Sequence, residues 1–158
     1  MKILLLGIIA LAVSAPANAD TLDVYGLWLT QAKDAHIKVT DCGDGTPCGA
    51  LVWVDPMIAE AGIDARNANT SLRARPLVGV PIVWGYARGK EKWKSGRIYN
   101  PEDSKTFKSS MRLQENGTLK VKGCIGPLCI TNIWTPLPKP HDEINSEKRG
   151  SQMNITTD

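Results

Sequence analysis

The sequence predicts an all-β domain: a single antiparallel meander barrel of about eight strands, with one long, partly helical excursion. The first observation behind that expectation is alternation. Between Phe107 and Leu113 the apolar residues Phe107, Met111 and Leu113 take odd positions, while Lys108, Ser110 and Arg112 take even ones. A period of two marks a strand buried on one face. The second observation is turn chemistry. Gln114-Glu115-Asn116-Gly117 follows, and Asn-Gly supplies the positive φ angles of a tight hairpin. Leu119 and Val121 then return to the inward positions, with Lys120 and Lys122 outward. Strands joined in sequence by such short turns favour a closed meander over a sandwich.

The chain opens on Met1-Lys2, an apolar run from Ile3 to Val13, and a small-residue stretch ending in Ala17-Asn18-Ala19. This is the pattern of a secretory leader cut after Ala19. The run falls short of the ~20 residues that span a bilayer, and no cysteine stands at the cut for lipid attachment. The expected division is a leader at 1–19, a barrel domain at 20–138 and a polar, disordered tail at 139–158 without hydrophobic periodicity. The expected location is the periplasm or the exterior. The formal net charge is +3, of which Lys2 in the leader supplies one. That balance is too small to indicate a nucleic-acid partner.

Cysteines fall in two close pairs, Cys42/Cys48 and Cys124/Cys129. In an exported chain an even count points to disulfides, although four cysteines allow three connectivities. Two local bridges are expected, each stapling a turn that contains glycine and proline. Zinc is the competing reading. Metal pairs usually enclose two to four residues, a spacing the second pair meets and the first does not.

Taken in order, Leu22 to Thr30 is the first element, and its Gly26-x-Trp28 suits a tryptophan plugging the closed end of a barrel. Ala35 to Thr40 alternates, with Ile37 and Val39 on one face and His36 on the solvated one. Gly49 to Val54 is continuously apolar, which predicts a central strand buried on both faces. From Asp55 to Arg75 the pattern changes, and one or two short helical turns are expected, Thr70 or Ser71 capping the second. Asp64, Arg66, Asn67, Arg73 and Arg75 concentrate polar groups there, as a loop brace or as part of a site. Val80 to Tyr86 reads as a strand with Val80, Ile82, Trp84 and Tyr86 on one face.

With these residues in view, the chain resembles DUF2147, a family of small exported bacterial proteins with no assigned reaction. The resemblance runs from about Tyr25 to Pro138. It is carried by Gly26-Leu27-Trp28, Cys42 with Cys48-Gly49, Asp64-Ala65-Arg66-Asn67 and Leu72-Arg73-Ala74-Arg75-Pro76-Leu77-Val78-Gly79. Gly96-Arg97-Ile98-Tyr99-Asn100-Pro101, Gly123-Cys124-Ile125-Gly126 and Trp134-Thr135 match as well. Ser104 departs from it where the family's turn more often has glycine, and Ala68 where proline is common. The resemblance implies a lipocalin-like (calycin) barrel and a Gram-negative-type envelope.

An eight-stranded barrel can hold one small ligand in its interior. Five tryptophans and three tyrosines against one phenylalanine make an aromatic set suited to a pocket mouth. The candidate ligand-binding residues are Trp28, Trp53, Trp84, Tyr86 and Tyr99, with Asp64, Asn67, Arg73 and Arg75 for a polar head group. The ligand class expected is a small hydrophobic or amphipathic molecule such as a fatty acid. An alternative is an envelope protein that meets a partner through its surface or tail. Catalysis is not expected. His36 and His141 lack triad partners, and the carboxylate pairs Asp55/Glu60 and Glu102/Asp103 have no supporting constellation. No metal or cofactor motif is present.

Overall fold

Each alternating segment finds its hydrogen-bond partner in the next. The computed structural model describes residues 20–59 and 61–138. They form β1 (Gly26–Leu29), β2 (Ala35–Asp41), β3 (Pro47–Val54), β4 (Pro81–Trp84), β5 (Ala87–Arg88), β6 (Trp93–Asn100), β7 (Lys105–Leu113), β8 (Leu119–Ile125) and β9 (Leu128–Pro136). β9 returns to β1 through Trp28↔Pro136 and Leu29↔Thr135, and β4 pairs with β6 through Val83↔Ile98. β4 and β5 occupy one position beside β6, so the ring is a closed, antiparallel, eight-stranded meander. Closure leaves no sheet edge open to a foreign strand. The leader, Glu60, His141 and the tail lie outside the described residues.

The inward face carries the core. Ile37, Val39, Leu51, Met111, Leu119, Val121 and Trp134 are each exposed by 3% or less, so the middle of the barrel is filled with side chains. One end is sealed by the segment that precedes β1, where Leu22 and Val24 are buried. Trp28 Nε1 donates to the Val24 carbonyl at 3.0 Å, and Trp93 Nε1 to the Leu22 carbonyl at 2.8 Å. Two indoles thus bury their rings while satisfying their only donors. The hairpin read from Asn116-Gly117 joins β7 to β8, with Gly117 at φ +78°.

Three expectations need correction. Among the described residues, the excursion between β3 and β4 contains no α-helix. Its one regular turn is a 3-10 turn at Thr70–Leu72, capped by Asn69, whose side chain accepts from Ser71 N at 3.1 Å. Asp55, Asn67 and Asn69 side chains each take a backbone N–H two residues on, and such local bonds compete with helix. β3 is not buried on both faces, since Val52 and Trp53 are 39% and 38% exposed. The Val80–Tyr86 alternation also breaks. Gly85 adopts φ +69°, a left-handed conformation natural to glycine. Tyr86 thereby turns into the barrel, where its hydroxyl donates to Ser109 Oγ at 2.7 Å.

Both cysteine pairs are bonded, Cys42 to Cys48 and Cys124 to Cys129. Each closes a short hairpin, at β2–β3 and β8–β9 respectively. Converting Cys124 and Cys129 together to serine should lower unfolding free energy by about 2 kcal/mol, the chain-entropy value for so small a loop. Urea titration reads this directly, and an unchanged midpoint would show that the hairpin holds without its staple.

Candidate ligand-binding cleft

A buried carboxylate organises the excursion. Asp64 is 1% exposed, and an ionised carboxylate at that depth needs full compensation. Its Oδ1 accepts from the Tyr99 hydroxyl at 2.8 Å. Its Oδ2 accepts from Asn67 Nδ2 at 2.7 Å and from Arg75 Nε and Nη2 at 3.0 and 2.7 Å. Burial works to raise the Asp64 pKa, but the bonds from Asn67, Tyr99 and Arg75 and the arginine's charge prevail, leaving the carboxyl below its usual range. For Tyr99, burial comes first and the bond to Asp64 second, and both push its hydroxyl up. The main chain adds to the brace, with Asp64 N donating to the Arg75 carbonyl and an Ile63↔Pro76 bridge beside it.

Against this cluster lies a cleft of about 830 Å³. Its lining includes Lys38, Thr40, Ala50 and Val52, which alternate along β2 and β3 with the core residues Ile37, Val39 and Leu51. Alternate strand residues point to opposite faces, so the cleft is on the outer wall of the barrel. Pro81 and Trp84 extend its apolar side, and Asn67, Ala68, Asn69, Arg75 and Tyr99 form the excursion's side. Among the described residues Lys38 and Arg75 are its cations, and no acidic side chain lines it. Among the described residues Lys38 makes no ion pair, and Arg75 turns Nε and Nη2, but not Nη1, to Asp64.

Ser104 completes the far wall beside Thr106. It holds φ +60°, which explains why glycine would be the easier residue in this turn. Its Oγ is buried without a hydrogen-bond partner among the described residues. It stands near enough to Tyr99 to favour that hydroxyl's ionised form, short of hydrogen-bond geometry.

The cleft brings together Asn67, Arg75, Trp84 and Tyr99 from the residues singled out in the sequence, with Asp64 directly beneath. The others stand elsewhere. Trp28 and Tyr86 belong to the core. Trp53 is on β3 with its ring 4.4 Å from that of His36. Arg73 donates Nε to the Asn67 carbonyl at 2.8 Å, bracing the loop. Sequence reading missed Lys38, Thr40, Ala50, Val52, Ser104 and Thr106. Alternation marks Lys38 and Thr40 as outward, and the continuous apolar run read Ala50 and Val52 as buried on both faces, but nothing local says that a distant segment walls in that patch. Asp55 caps the Met57 N–H, and Glu102 and Asp103 lie in the exposed β6–β7 turn.

A family model described as "Uncharacterized protein conserved in bacteria (DUF2147)" matches residues 26–136. Among solved structures, the chain is similar to the Helicobacter pylori protein HP1028, whose description places it in the lipocalin family. That likeness has a TM-score of 0.66 at 25% identity, over 81% of this chain and 90% of the other. A search of curated proteins finds no match.

Proposed function

This chain belongs to the DUF2147 family, and from that premise we propose that it binds a small amphipathic ligand in the outer cleft. The observation that carries the reading is the pairing of an apolar wall (Ala50, Val52, Pro81, Trp84) with two cations and, among the described residues, no competing acid. A fatty acid or similar amphiphile matches this arrangement, its chain against Trp84 and Pro81 and its carboxylate near Lys38 and Arg75 Nη1. Arginine suits such a head group because its planar fork meets two oxygens at once. Asp64 keeps that fork aimed. The lipocalin-like neighbour supports a ligand-binding use of the barrel, while the filled interior moves the support from the inside of the barrel to its outer wall. Export to an oxidising compartment belongs to the same proposal. Two disulfides persist where thiols are not kept reduced, and the leader at 1–19 would direct the chain there.

Laurate titrated into the protein should quench or shift tryptophan emission saturably, and Trp84→Phe should remove most of that signal. Lys38→Ala should raise Kd by roughly fivefold, as expected for losing about 1 kcal/mol of partly exposed charge pairing. Dodecanol, which lacks the charge, should bind correspondingly less well. A flat fluorescence trace with both probes would sink the cleft as a site for amphiphiles.

A further inference from the structure

Among the described residues, the five most exposed large apolar side chains gather at one end of this barrel. β3, β6 and β8 run in the direction of β1, because each is antiparallel to strands that are antiparallel to it. All four therefore end at one rim, opposite the end sealed by Leu22, Val24, Trp28 and Trp93. Beyond β3 stand Met57 and Ile58, exposed by 89% and 60%. At the β8–β9 hairpin stand Ile125, Leu128 and Ile130, exposed by 58%, 78% and 71%. In the ring these two protrusions are separated by β2 and β1 on one side and by β4, β6 and β7 on the other, which sets them across the rim from each other. Apolar groups this exposed at one place mark a surface that meets something.

The hairpin's surroundings indicate what. Cys124–Cys129 staples it, so the tip is a fixed projection. Lys108 pairs with Cys124 and Lys122 with Thr131, just behind the tip, and Lys105 begins the adjoining strand. No acidic residue occurs between Lys105 and Leu113 or between Thr118 and Pro138. Among the described residues the acids of the rim are Asp34, Asp55, Glu102 and Asp103. Three of them are engaged locally, Asp34 by Thr30, Asp55 by Met57 N and Asp103 by Lys105 N.

We infer that this rim docks on an anionic lipid bilayer, Leu128 and Ile130 entering the head-group layer while Lys105, Lys108 and Lys122 meet lipid phosphates. An apolar tip backed by lysines has the chemistry of an interfacial anchor. Two apolar points on opposite sides of one rim require a broad, flat partner. A peptide or the edge of a second copy would cover only one of them. Among the described residues no helix is long and apolar enough to cross a membrane, so the contact is a surface one. A bilayer would also bring amphiphiles to the protein.

The experiment is co-sedimentation of the full mature chain with vesicles of phosphatidylethanolamine and phosphatidylglycerol, compared with phosphatidylcholine alone. Binding to the anionic vesicles is expected, reduced in about 0.5 M salt where the screening length is only a few ångströms. The double variant Leu128→Asp with Ile130→Asp should bind at least roughly tenfold more weakly, and Lys108→Glu with Lys122→Glu should lose the preference for anionic lipid. All four residues lie outside the buried core, so thermal melts should show each variant folded. Absence of sedimentation with either vesicle overturns the inference, as do equal binding to both lipids or unaltered binding by the aspartate variant. A dimer in size-exclusion chromatography that the aspartate variant dissolves, without vesicle binding by the parent, assigns the rim to a second copy instead and also overturns it.

Discussion

Replacing Asp64 with alanine should cost about 3–5 kcal/mol of unfolding free energy, the usual penalty for removing one partner of a buried ion pair. Three side chains lose their acceptor at once. Tyr99 and Asn67 would be left buried beside a cavity, and Arg75 would keep its charge with only its exposed edge to solvate it. The tie between the excursion and β6 runs through these bonds, so the cleft should lose its excursion wall as well. Denaturant titration reads the stability, and laurate binding reads the wall. A loss below about 1 kcal/mol, the range of exposed pairs, would mean the cluster is dispensable. The acid side gives a second check. The folded Asp64 carboxyl titrates below its unfolded value of about 3.9. Its contribution is therefore complete above that pH and is lost as pH falls through the lower folded value. Asp64→Asn carries no such proton, so its stability should decline less between pH 5 and 2, to an extent set by about one linked proton. Parallel declines in the two proteins would assign acid sensitivity to other groups.

Gly96→Ala should destabilise the barrel by roughly 3 kcal/mol, at the upper end of overpacking costs. A Cβ at this position would stand 2.6 Å from Tyr86 Cγ and closer still to Cδ1 and Cε1. The ring has little freedom to withdraw, being 4% exposed and tethered through its hydroxyl to Ser109. Burial of that hydroxyl also pushes its pKa up, first by desolvation, so ionisation offers no release at neutral pH. Tyr86→Ala alone leaves a cavity and should cost about 3–5 kcal/mol. Combined with it, Gly96→Ala should cost nothing further or recover part of the loss, because the added methyl then fills empty space. A double-mutant cycle in urea measures the coupling. Simple additivity would show that the sheet, not the ring, yields to the methyl.

Much of this molecule is local. The β7–β8 hairpin follows from Asn116-Gly117 and from the alternation on each side. Both disulfides accord with close cysteine spacing across a hairpin turn, Cys124 and Cys129 being directly opposite each other and Cys42 and Cys48 standing on either side of the β2–β3 turn. Trp28 follows Gly26 at the start of β1, and the segment before it closes the barrel. Where reading the residues went astray, the deciding contact was distant. Trp84 and Tyr86 share a parity, yet Gly85 sends one to the cleft and the other to a space that Gly96 leaves open on β6. Val52 and Trp53 are as apolar as core residues, but the outer face of β3 stays partly uncovered.

The residues alone pointed to about eight strands, to the tight β7–β8 turn and to two local cysteine bridges, since these depend on neighbours within a few positions. They also marked Asp64, Asn67, Arg75 and Tyr99 as noteworthy without saying what joins them. Only the tertiary structure decided that Asn67, 32 positions before Tyr99, meets it over a buried carboxylate. It likewise decided that Lys38 and Trp84 face the same cleft. Alternation distinguishes inward from outward side chains, but which outward patch a long loop covers depends on where the closed barrel carries that loop.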